Sequence, residues 1–498
     1  MRNNPLLKKS VYFSVALASF LFWLTQCSKA DFENTSYAPS NVRAMIKSVL
    51  SNGTSSLYCS ISGGCSLSIT GTDFYPGAKV FIGPYECTGA AVSDDHTSID
   101  CTVGDGKSGV FPVSVVNLDG KASEFDTSIA DPTVLNFSYA SFLYLGVQDS
   151  PGTVYGYAQN PVTGALLSII GSPFSIGSGA NSTYGTVISP NNRFLYSANV
   201  GSNSISVYSI NAVNGRLTAV GAPVAAGVGG PNGLFFHPSG NFLYVSSFNS
   251  ANMAGFSVAA DGSLTPIAGS PFSTGTATIM NGIVVHSSGN FLYTASMNGS
   301  GGVVGFSIDS LTGALTLLAG SPFLNTNGGF NNTGDGITIH PNGRWLYMGL
   351  VSQRRVAAFD IDQNTGLLTG IGTPALNNAT TGYTDNGGSG ANISPDGLYF
   401  YGTAFSTNAA DPKKVIVYLI DQTIGDLTLS SEADAGGGPN DVRVDTNGIF
   451  AYTCNSMNTP SVSAYSRNAS TGALTPLSPR DVAIPTGNGG PGIMVIQR

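Results

Sequence analysis

Short apolar runs separated by turn residues dominate the chain, and after residue 140 they fall into a repeating order. Each repeat begins with Phe-Leu-Tyr or a close variant, continues with Gly-x-Leu and, in several copies, reaches Ser-Pro-Phe. Self-similarity at a period of about 50 residues is typical of propellers and solenoids. The tyrosines of the seven copies are Tyr144, Tyr196, Tyr244, Tyr293, Tyr347, Tyr401 and Tyr452.

One repeat contains four strand-like runs, at 282–286, 291–296, 302–308 and 314–319. Four antiparallel strands repeated seven times predict a seven-bladed β-propeller, and the absence of a 3.6-residue periodicity excludes an α-solenoid. The first repeat lacks an inner strand, whereas the chain ends with an unmatched apolar run at 490–496. The C-terminal run is therefore predicted to complete the first blade, which would leave no open interior edge.

Residues 40–139 have a different pattern, in which apolar and polar residues alternate over short runs such as 66–70 and 111–116. Period-two alternation predicts half-buried strands, and about 100 residues is the size of a small β-sandwich. The sequence thus predicts an all-β protein with a sandwich at 40–139 and a propeller at 140–498.

The predicted sandwich resembles an IPT/TIG domain. The resemblance rests on Ser-Ile-Thr-Gly-Thr-Asp-Phe at 68–74, Val-Phe-Ile-Gly at 80–83, the pair Cys87 and Cys101, and Phe-Ser-Tyr at 137–139. It implies an immunoglobulin-like fold and the role of a spacer or interaction module.

The predicted propeller resembles the lactonase-type seven-bladed propellers, which include one class of 6-phosphogluconolactonase. The resemblance rests on Phe-Leu-Tyr, Thr-Gly-Ala-Leu as at 163–166, Gly-Ser-Pro-Phe and His-Pro-x-Gly, and it extends over all seven repeats. It implies hydrolysis of a sugar lactone as one candidate activity. These motifs specify the blade rather than the chemistry, because a fold alone does not determine a function.

The N-terminus has the pattern of a targeting segment, with basic residues followed by an apolar run at 11–24 that is short for a membrane span. The run ends in Leu-Thr-Gln-Cys and resembles a bacterial lipoprotein signal. That resemblance implies a signal peptide at 1–26, acylation of Cys27, a tether at 27–39 and a lipid-anchored protein of the cell envelope, on the periplasmic side or the cell surface. An ordinary secretory signal with an incidental cysteine is the alternative.

An exported protein can keep disulfides, and four cysteines fall between residues 59 and 101. Nearest-neighbour pairing gives Cys59–Cys65 and Cys87–Cys101, although four cysteines allow three pairings, and Cys454 is left single. Because the chain has no Cys-x-x-Cys, a thiolate zinc site or a redox motif is not expected.

The positions where chemistry is expected depart from the lactonase pattern. Catalytic relatives carry Gly-Pro-Arg-His at the start of an inner strand, whereas the matching runs here are Gly-Pro-Asn-Gly at 230–233 and Gly-Pro-Asn-Asp at 438–441. No glutamate follows the second strands. Lactone hydrolysis needs a group that activates water and a donor for the oxyanion, so enzyme activity is left open.

Polar residues near the predicted channel remain as candidates for ligand binding. Arg443 lies in an otherwise apolar inner strand, where it can either bind an anion or pair with Asp441 or Asp445. Long loops at 324–335 and 375–389, rich in Asn, Gly and Thr, suit a polar ligand such as a sugar, with drift of exposed loops as the alternative. The candidate ligand-binding residues are Asn232, Asn281, Asp335, Arg354, Asn440, Asp441 and Arg443.

Three histidines, His237, His286 and His340, occupy one position of the repeat. A residue fixed by repeat register is most simply a turn-stabilising one. Equivalent atoms of neighbouring blades lie roughly 10 Å apart, whereas zinc ligands lie about 2 Å from the metal. No metal site and no cofactor are predicted.

The net charge of −8 and the low share of charged residues, 10%, exclude a basic nucleic-acid-binding face. The function that the sequence favours is a lipid-anchored envelope protein whose propeller binds a carbohydrate or protein ligand. The alternative is a lactonase-type hydrolase acting on a sugar lactone.

Overall fold

The computed structural model describes residues 43–51, 58–118, 122–125, 136–177, 182–275, 280–297, 301–327, 334–350, 355–376, 387–404, 413–456, 459–485 and 490–497. The predicted signal peptide, Cys27 and the tether lie outside these residues. The chain divides into two compact units, and the described residues of the first fall within 43–58, 65–104 and 111–137. The second unit contains 59–64, 105–110 and the described residues from 138 to 497.

Ten strands form the sandwich as two five-stranded sheets, ordered β6-β7-β3-β1-β9 and β2-β10-β8-β4-β5. The alternation read from the sequence appears in β3, where Leu67 and Ile69 are buried between more exposed neighbours. The strands are β1 Met45–Ser51, β2 Tyr58–Ser60, β3 Ser66–Thr72, β4 Lys79–Ile82, β5 Tyr85–Glu86, β6 Thr88–Val92, β7 Ser98–Thr102, β8 Gly109–Val116, β9 Glu124–Phe125 and β10 Asn136–Ala140.

Disulfides join cysteines of the predicted set. Cys87 and Cys101 form one bond, with Cα atoms 5.8 Å apart. Cys59 and Cys65 are also disulfide-bonded. Cys454 is a free thiol, and it is buried.

The propeller consists of seven antiparallel sheets, which confirms the predicted fold class. A short 3-10 helix, Val200–Ser202, lies between the second and third strands of blade 2. In chain order the strands are β11 Phe142–Val147, β12 Thr153–Gln159, β13 Leu166–Ser168, β14 Phe174–Ser175, β15 Thr183–Ile188, β16 Phe194–Asn199, β17 Ser204–Ile210, β18 Leu217–Ala219, β19 Val224–Ala225, β20 Pro231–Phe236, β21 Phe242–Ser247, β22 Asn252–Val258, β23 Leu264–Pro266, β24 Phe272–Ser273, β25 Met280–Val285, β26 Phe291–Ser296, β27 Val303–Ile308, β28 Leu315–Leu317, β29 Gly334–Ile339, β30 Trp345–Leu350, β31 Arg355–Ile361, β32 Leu368–Leu376, β33 Gly387–Ile393, β34 Tyr399–Ala404, β35 Lys414–Ile420, β36 Leu427–Asp434, β37 Pro439–Val444, β38 Phe450–Asn455, β39 Ser461–Arg467, β40 Leu474–Ala483 and β41 Pro491–Ile496.

Each blade runs from an inner strand outward, and the ring closes through the two ends of the propeller segment. Blade 1 has the order β41-β11-β12-β13, and blades 2 to 7 begin with inner strands β15, β20, β25, β29, β33 and β37. The C-terminal strand β41 pairs antiparallel with β11, placing Val495 opposite Tyr144 and Ile496 opposite Leu143. The predicted closure of blade 1 by the C-terminal strand is confirmed.

The tyrosine of the repeat signature links neighbouring blades. In each blade its hydroxyl donates a hydrogen bond to the carbonyl of the glycine of Gly-x-Leu in the next blade, and the last pair joins blade 7 to blade 1. The recurrent spacing of these two motifs therefore encodes an interblade contact. The pairs are Tyr144–Gly215, Tyr196–Gly262, Tyr244–Gly313, Tyr293–Gly366, Tyr347–Gly425, Tyr401–Gly472 and Tyr452–Gly164, at 2.6 to 2.9 Å.

The repeated histidines also hold neighbouring blades together. His237 accepts the backbone N–H of Ser239 at Nδ1, so its Nε2 is free to donate to Gly289 O of the next blade at 3.0 Å. The corresponding Nε2 contacts of His286 and His340 reach Gly343 O and Gly397 O. The Nδ1 contact within the turn is the turn-stabilising role that the repeat register predicts, and the Nε2 contact adds a link between blades.

Candidate functional site

A central cavity of about 740 Å³ runs between the inner strands of all seven blades. Most of its wall is apolar, since backbone and side chains such as Val187, Phe235, Val284 and Val495 line it. The His-Pro turns of blades 3 and 5 border one end. The beginnings of the inner strands, where the sequence departs from the lactonase pattern, form the other end, which we call the channel mouth.

Every inner strand has an irregular register at the channel mouth. In β15, for example, Thr183 pairs with Asn199 and the next regular pair is Thr186–Ser197, so intervening residues are left out of the ladder. The other six inner strands break at or near the corresponding point. Bulges re-aim side chains and are common beside functional sites. In several blades the second residue of the inner strand is polar, so these residues make up an incomplete ring at the mouth, interrupted by Gly492 in blade 1.

The register assigns the predicted candidates to this ring. Asn232, Asn281, Asp335 and Asn440 are each the second residue of an inner strand. Asp335 and Asn440 line the cavity, whereas the lining of blade 3 begins at Gly233, one residue after the buried Asn232. The side chain of Asn281 lies outside the described residues.

Arg354 and most of the two long loops also lie outside the described residues, which stop at 350 and resume at 355 in this blade. The described parts of the loops are 324–327, 334–335, 375–376 and 387–389. The prediction that these loops bind a sugar therefore stays a prediction.

Asp441 and Arg443 form an ion pair in the wall of the mouth. Nη2 of Arg443 lies 3.1 Å from Oδ2 of Asp441, which also accepts the N–H of Met494 at 3.1 Å. Arg443 further donates from Nε to Met494 O at 3.0 Å and from Nη1 to Ala391 O at 3.3 Å. Of the alternatives left open by the sequence, the structure shows pairing with Asp441, and the pair ties the inner strands of blades 6, 7 and 1 together.

Asp441 is an exception to the repeat. The position that Asp441 occupies in its inner strand is held by glycine in five other blades. Only 3% of the residue is exposed, and this burial raises the pKa of the Asp441 carboxyl despite the nearby Arg443 guanidinium. Desolvation of the charged form outweighs the ion pair here. The five glycines are Gly185, Gly233, Gly282, Gly336 and Gly390.

Tyr184 is the principal site residue that sequence reasoning missed. It is the second residue of β15, and Nδ2 of Asn440 donates to its hydroxyl at 3.1 Å. Gly492 holds the equivalent position in blade 1, between these two residues, and a Cβ there would lie 2.2 Å from Tyr184 O. The absent side chain therefore leaves room for a contact between blades 2 and 7. The sequence signal that could have identified it is Tyr184-Gly185, which stands at the repeat position where other blades have Asn-Gly or Asp-Gly.

The electrostatics of the mouth keep Tyr184 protonated. Burial raises the pKa of its hydroxyl well above the ordinary value, and the negative charges of Asp335 and Asp441 add to the effect. Since the oxygen already accepts from Asn440, the hydroxyl proton remains for donation. Tyr184 is therefore a neutral hydrogen-bond donor at the cavity wall, held in place by its neighbour.

Other chemistry-bearing groups of the described residues have structural positions. Asp445 accepts hydrogen bonds from Gln159, Ile449 and Phe450. Burial raises the pKa of the Cys454 thiol, which contacts Gly492 O and is not activated as a nucleophile. Within the described ranges, no group of three His, Cys, Asp or Glu residues is arranged to hold a metal ion. No helix in the same ranges has the length and apolar character of a membrane span.

The comparison with family models decides the family of the second unit. The model of the lactonase seven-bladed β-propeller matches residues 175–281, 273–381 and 334–488. The chain belongs to the lactonase seven-bladed β-propeller family. The IPT/TIG domain model matches residues 52–129, in agreement with the resemblance of the sandwich. No curated protein matches the chain.

Solved structures show the same fold at low identity. A proposed 6-phosphogluconolactonase of Bacteroides uniformis has a TM-score of 0.61 at 17% identity, covering 72% of this chain and 99% of its own. A second from Bacteroides fragilis has a TM-score of 0.60 at 18% identity, with 72% and 98% coverage. The periplasmic gluconolactonase of Pseudomonas aeruginosa has a TM-score of 0.57 at 16% identity, with 72% and 99% coverage. At these identities the likeness establishes the fold alone.

Proposed function

We propose that the propeller is a binding module that takes a small polyhydroxylated ligand, of the sugar or sugar-lactone class, at its channel mouth. The observation that carries this is the Tyr184 hydroxyl, positioned by Asn440 with its own proton left to donate. The cavity of about 740 Å³ has the size of a small-molecule site. Its mostly apolar wall with a few polar groups from Tyr184, Asp335 and Asn440 suits the faces and hydroxyls of a sugar ring.

Binding is favoured over catalysis because the strongest charged pair at the mouth is already engaged. Asp441 accepts from Arg443 and from a backbone N–H, and Arg443 contacts two carbonyls. A general base must be within reach of the proton it removes, and an oxyanion donor must be directed at the reacting oxygen. Groups that bind substrate and transition state equally well give affinity without rate acceleration.

Lactone hydrolysis is the second candidate function. It is favoured by the presence of a neutral donor, Tyr184, close enough to Asp335 for that carboxylate to raise the pKa of its hydroxyl. In such a reaction Tyr184 would donate to the lactone carbonyl, and Asp335 would accept a proton from the attacking water. Family membership and the gluconolactonase among the similar structures support the same candidate.

A binding and turnover experiment with the full-length protein in detergent separates the two functions. We expect freshly dissolved D-glucono-1,5-lactone to bind by calorimetry, while its rate of loss stays that of buffer. Tyr184→Phe removes one hydrogen bond, worth about 0.5–1.5 kcal/mol, and should weaken binding roughly 2- to 13-fold. Tyr155→Phe is the matched control, since the Tyr155 hydroxyl donates to Pro485 O and does not line the cavity.

Two results would change this proposal. Saturable lactone loss that disappears in both Tyr184→Phe and Asp335→Asn would establish the hydrolase in place of the binding module. Equal binding by the wild type and Tyr184→Phe would remove the channel mouth as the site.

We also propose that the protein is anchored in the cell envelope through acylated Cys27, as the N-terminal sequence indicates. Acyl chains contribute about 0.8 kcal/mol per buried methylene, so more than one chain on a single residue gives stable anchoring. Cys27→Ala should move the exported protein from the membrane fraction to the soluble fraction in a detergent-partition experiment. Ser28→Ala is the control and should stay with the membrane; unchanged partitioning of Cys27→Ala would contradict the anchor.

A further inference from the structure

Acidic side chains outnumber permanently positive ones among the described residues that line the cavity, which disfavours an anionic ligand. Among the described lining residues, Asp335 and Asp441 carry negative charge, and Arg443 carries the one permanent positive charge. The lining histidines, His237 and His340, each accept a backbone N–H at Nδ1 and contact a carbonyl through Nε2, so both ring nitrogens are engaged by protein. The opposite charges of Arg443 and Asp441 offset each other within their ion pair, and Asp335 adds a second acidic group to the described lining.

The contacts that Arg443 makes with protein limit its use for phosphate recognition. Arg443 uses Nη2 for Asp441, Nε for Met494 O and Nη1 for Ala391 O. Strong phosphate binding by arginine relies on two parallel N–H groups directed at the phosphate oxygens. All three nitrogens of the guanidinium already contact protein, and a phosphate would compete for its charge with Asp441, a residue that is 3% exposed.

We infer that the channel mouth selects uncharged sugars and rejects their phosphorylated forms. This inference rests on the proposed function and adds the charge class of its ligand. Like charges brought together at a partly desolvated site disfavour the wrong ligand by repulsion. The net charge of −8 over the chain acts in the same direction at longer range. The specificity therefore differs from that named for the proposed 6-phosphogluconolactonases of similar structure.

A pair of probes that differ only in a phosphate tests the inference. D-glucose and D-glucose 6-phosphate are titrated into the full-length protein in detergent at low salt, with binding followed by calorimetry. We expect the Kd of the phosphorylated probe to be at least about tenfold higher, which is about 1.4 kcal/mol. Raising the salt concentration should narrow the ratio of the two dissociation constants, because screening weakens the repulsion.

Charge-neutralising variants locate the effect. Asp335→Asn removes one negative charge from the mouth and should narrow the ratio several-fold, whatever it does to the affinity for glucose itself. Asp261→Asn is the control, because it removes the same charge from an exposed outer turn where Asp261 bonds Ser263. That variant should leave the ratio unchanged.

The titration results separate a failure of charge selection from a failure of the proposed binding function. Equal or tighter binding of glucose 6-phosphate would overturn the charge selection while supporting a polyol-binding channel. A ratio that falls equally in Asp335→Asn and Asp261→Asn would also overturn it, since the repulsion would then not come from the mouth. Failure of both glucose and D-glucono-1,5-lactone to bind would overturn the proposed function and the inference together.

Discussion

Deletion of residues 490–498 should leave a protein that aggregates or melts far below the intact chain. The deletion removes β41, the inner strand of blade 1, and exposes the hydrogen-bonding edge of β11 inside the ring. It also removes the side chains of Met494 and Ile496, which are 0% and 7% exposed. Losing such side chains costs about 2–5 kcal/mol each, a large fraction of a typical stability of about 5–15 kcal/mol.

The measurement is thermal unfolding followed by tryptophan fluorescence, combined with size-exclusion chromatography. Trp345 reports on the propeller because it is buried at 1% exposure. A chain shortened only by Arg498 is the control and should unfold like the intact protein. An undiminished melting temperature after deletion of 490–498 would contradict closure of the ring by β41.

Gly313→Ala should be strongly destabilising, because Gly313 lies at a blade seam against an aromatic ring. Gly313 has a φ of +74°, and a Cβ there would lie 2.5 Å from a ring carbon of Phe242 in the preceding blade. A left-handed conformation costs alanine about 1–2 kcal/mol, and overpacking a well-packed site adds about 1–3 kcal/mol. We therefore expect the free energy of unfolding to fall by about 2–5 kcal/mol.

A second glycine separates the two causes of this loss. Gly221 has a similar φ of +70°, but a Cβ there meets no atom within 4 Å. Gly221→Ala should therefore cost only the about 1–2 kcal/mol of backbone strain. Denaturant unfolding of both variants measures the difference, which is the packing contribution of the seam. Equal losses in the two variants would contradict a tight contact between the glycine and the aromatic ring.

The fold was predictable because the repeat carries its own contacts. A tyrosine such as Tyr244 and a glycine such as Gly313 recur together since the hydroxyl of one blade donates to the carbonyl of the next. The first repeat lacks an inner strand and the last repeat is followed by an extra one, so pairing of β41 with β11 follows from counting strands. Both inferences need only periodicity along the chain, which the sequence displays directly.

The site was less predictable because it depends on which blades are neighbours across the ring. Asn440 and Asp441 could be named from their place in an inner strand, but not their contacts with Tyr184 and Met494, which lie in other blades. Arg443 had two acidic candidates close in sequence, and only the structure distinguishes Asp441 from Asp445. Burial, which raises the pKa of Asp441, likewise comes from the packed ring rather than from local sequence.

A crystal structure of the protein soaked with D-glucose or D-glucono-1,5-lactone tests the central claim, that the ligand site is the channel mouth. The account predicts electron density between Tyr184, Asp335 and Asn440, with a ligand oxygen accepting a hydrogen bond from the Tyr184 hydroxyl. Density at the opposite end of the cavity, beside the His-Pro turns, would contradict it, as would a ligand bound only outside the cavity.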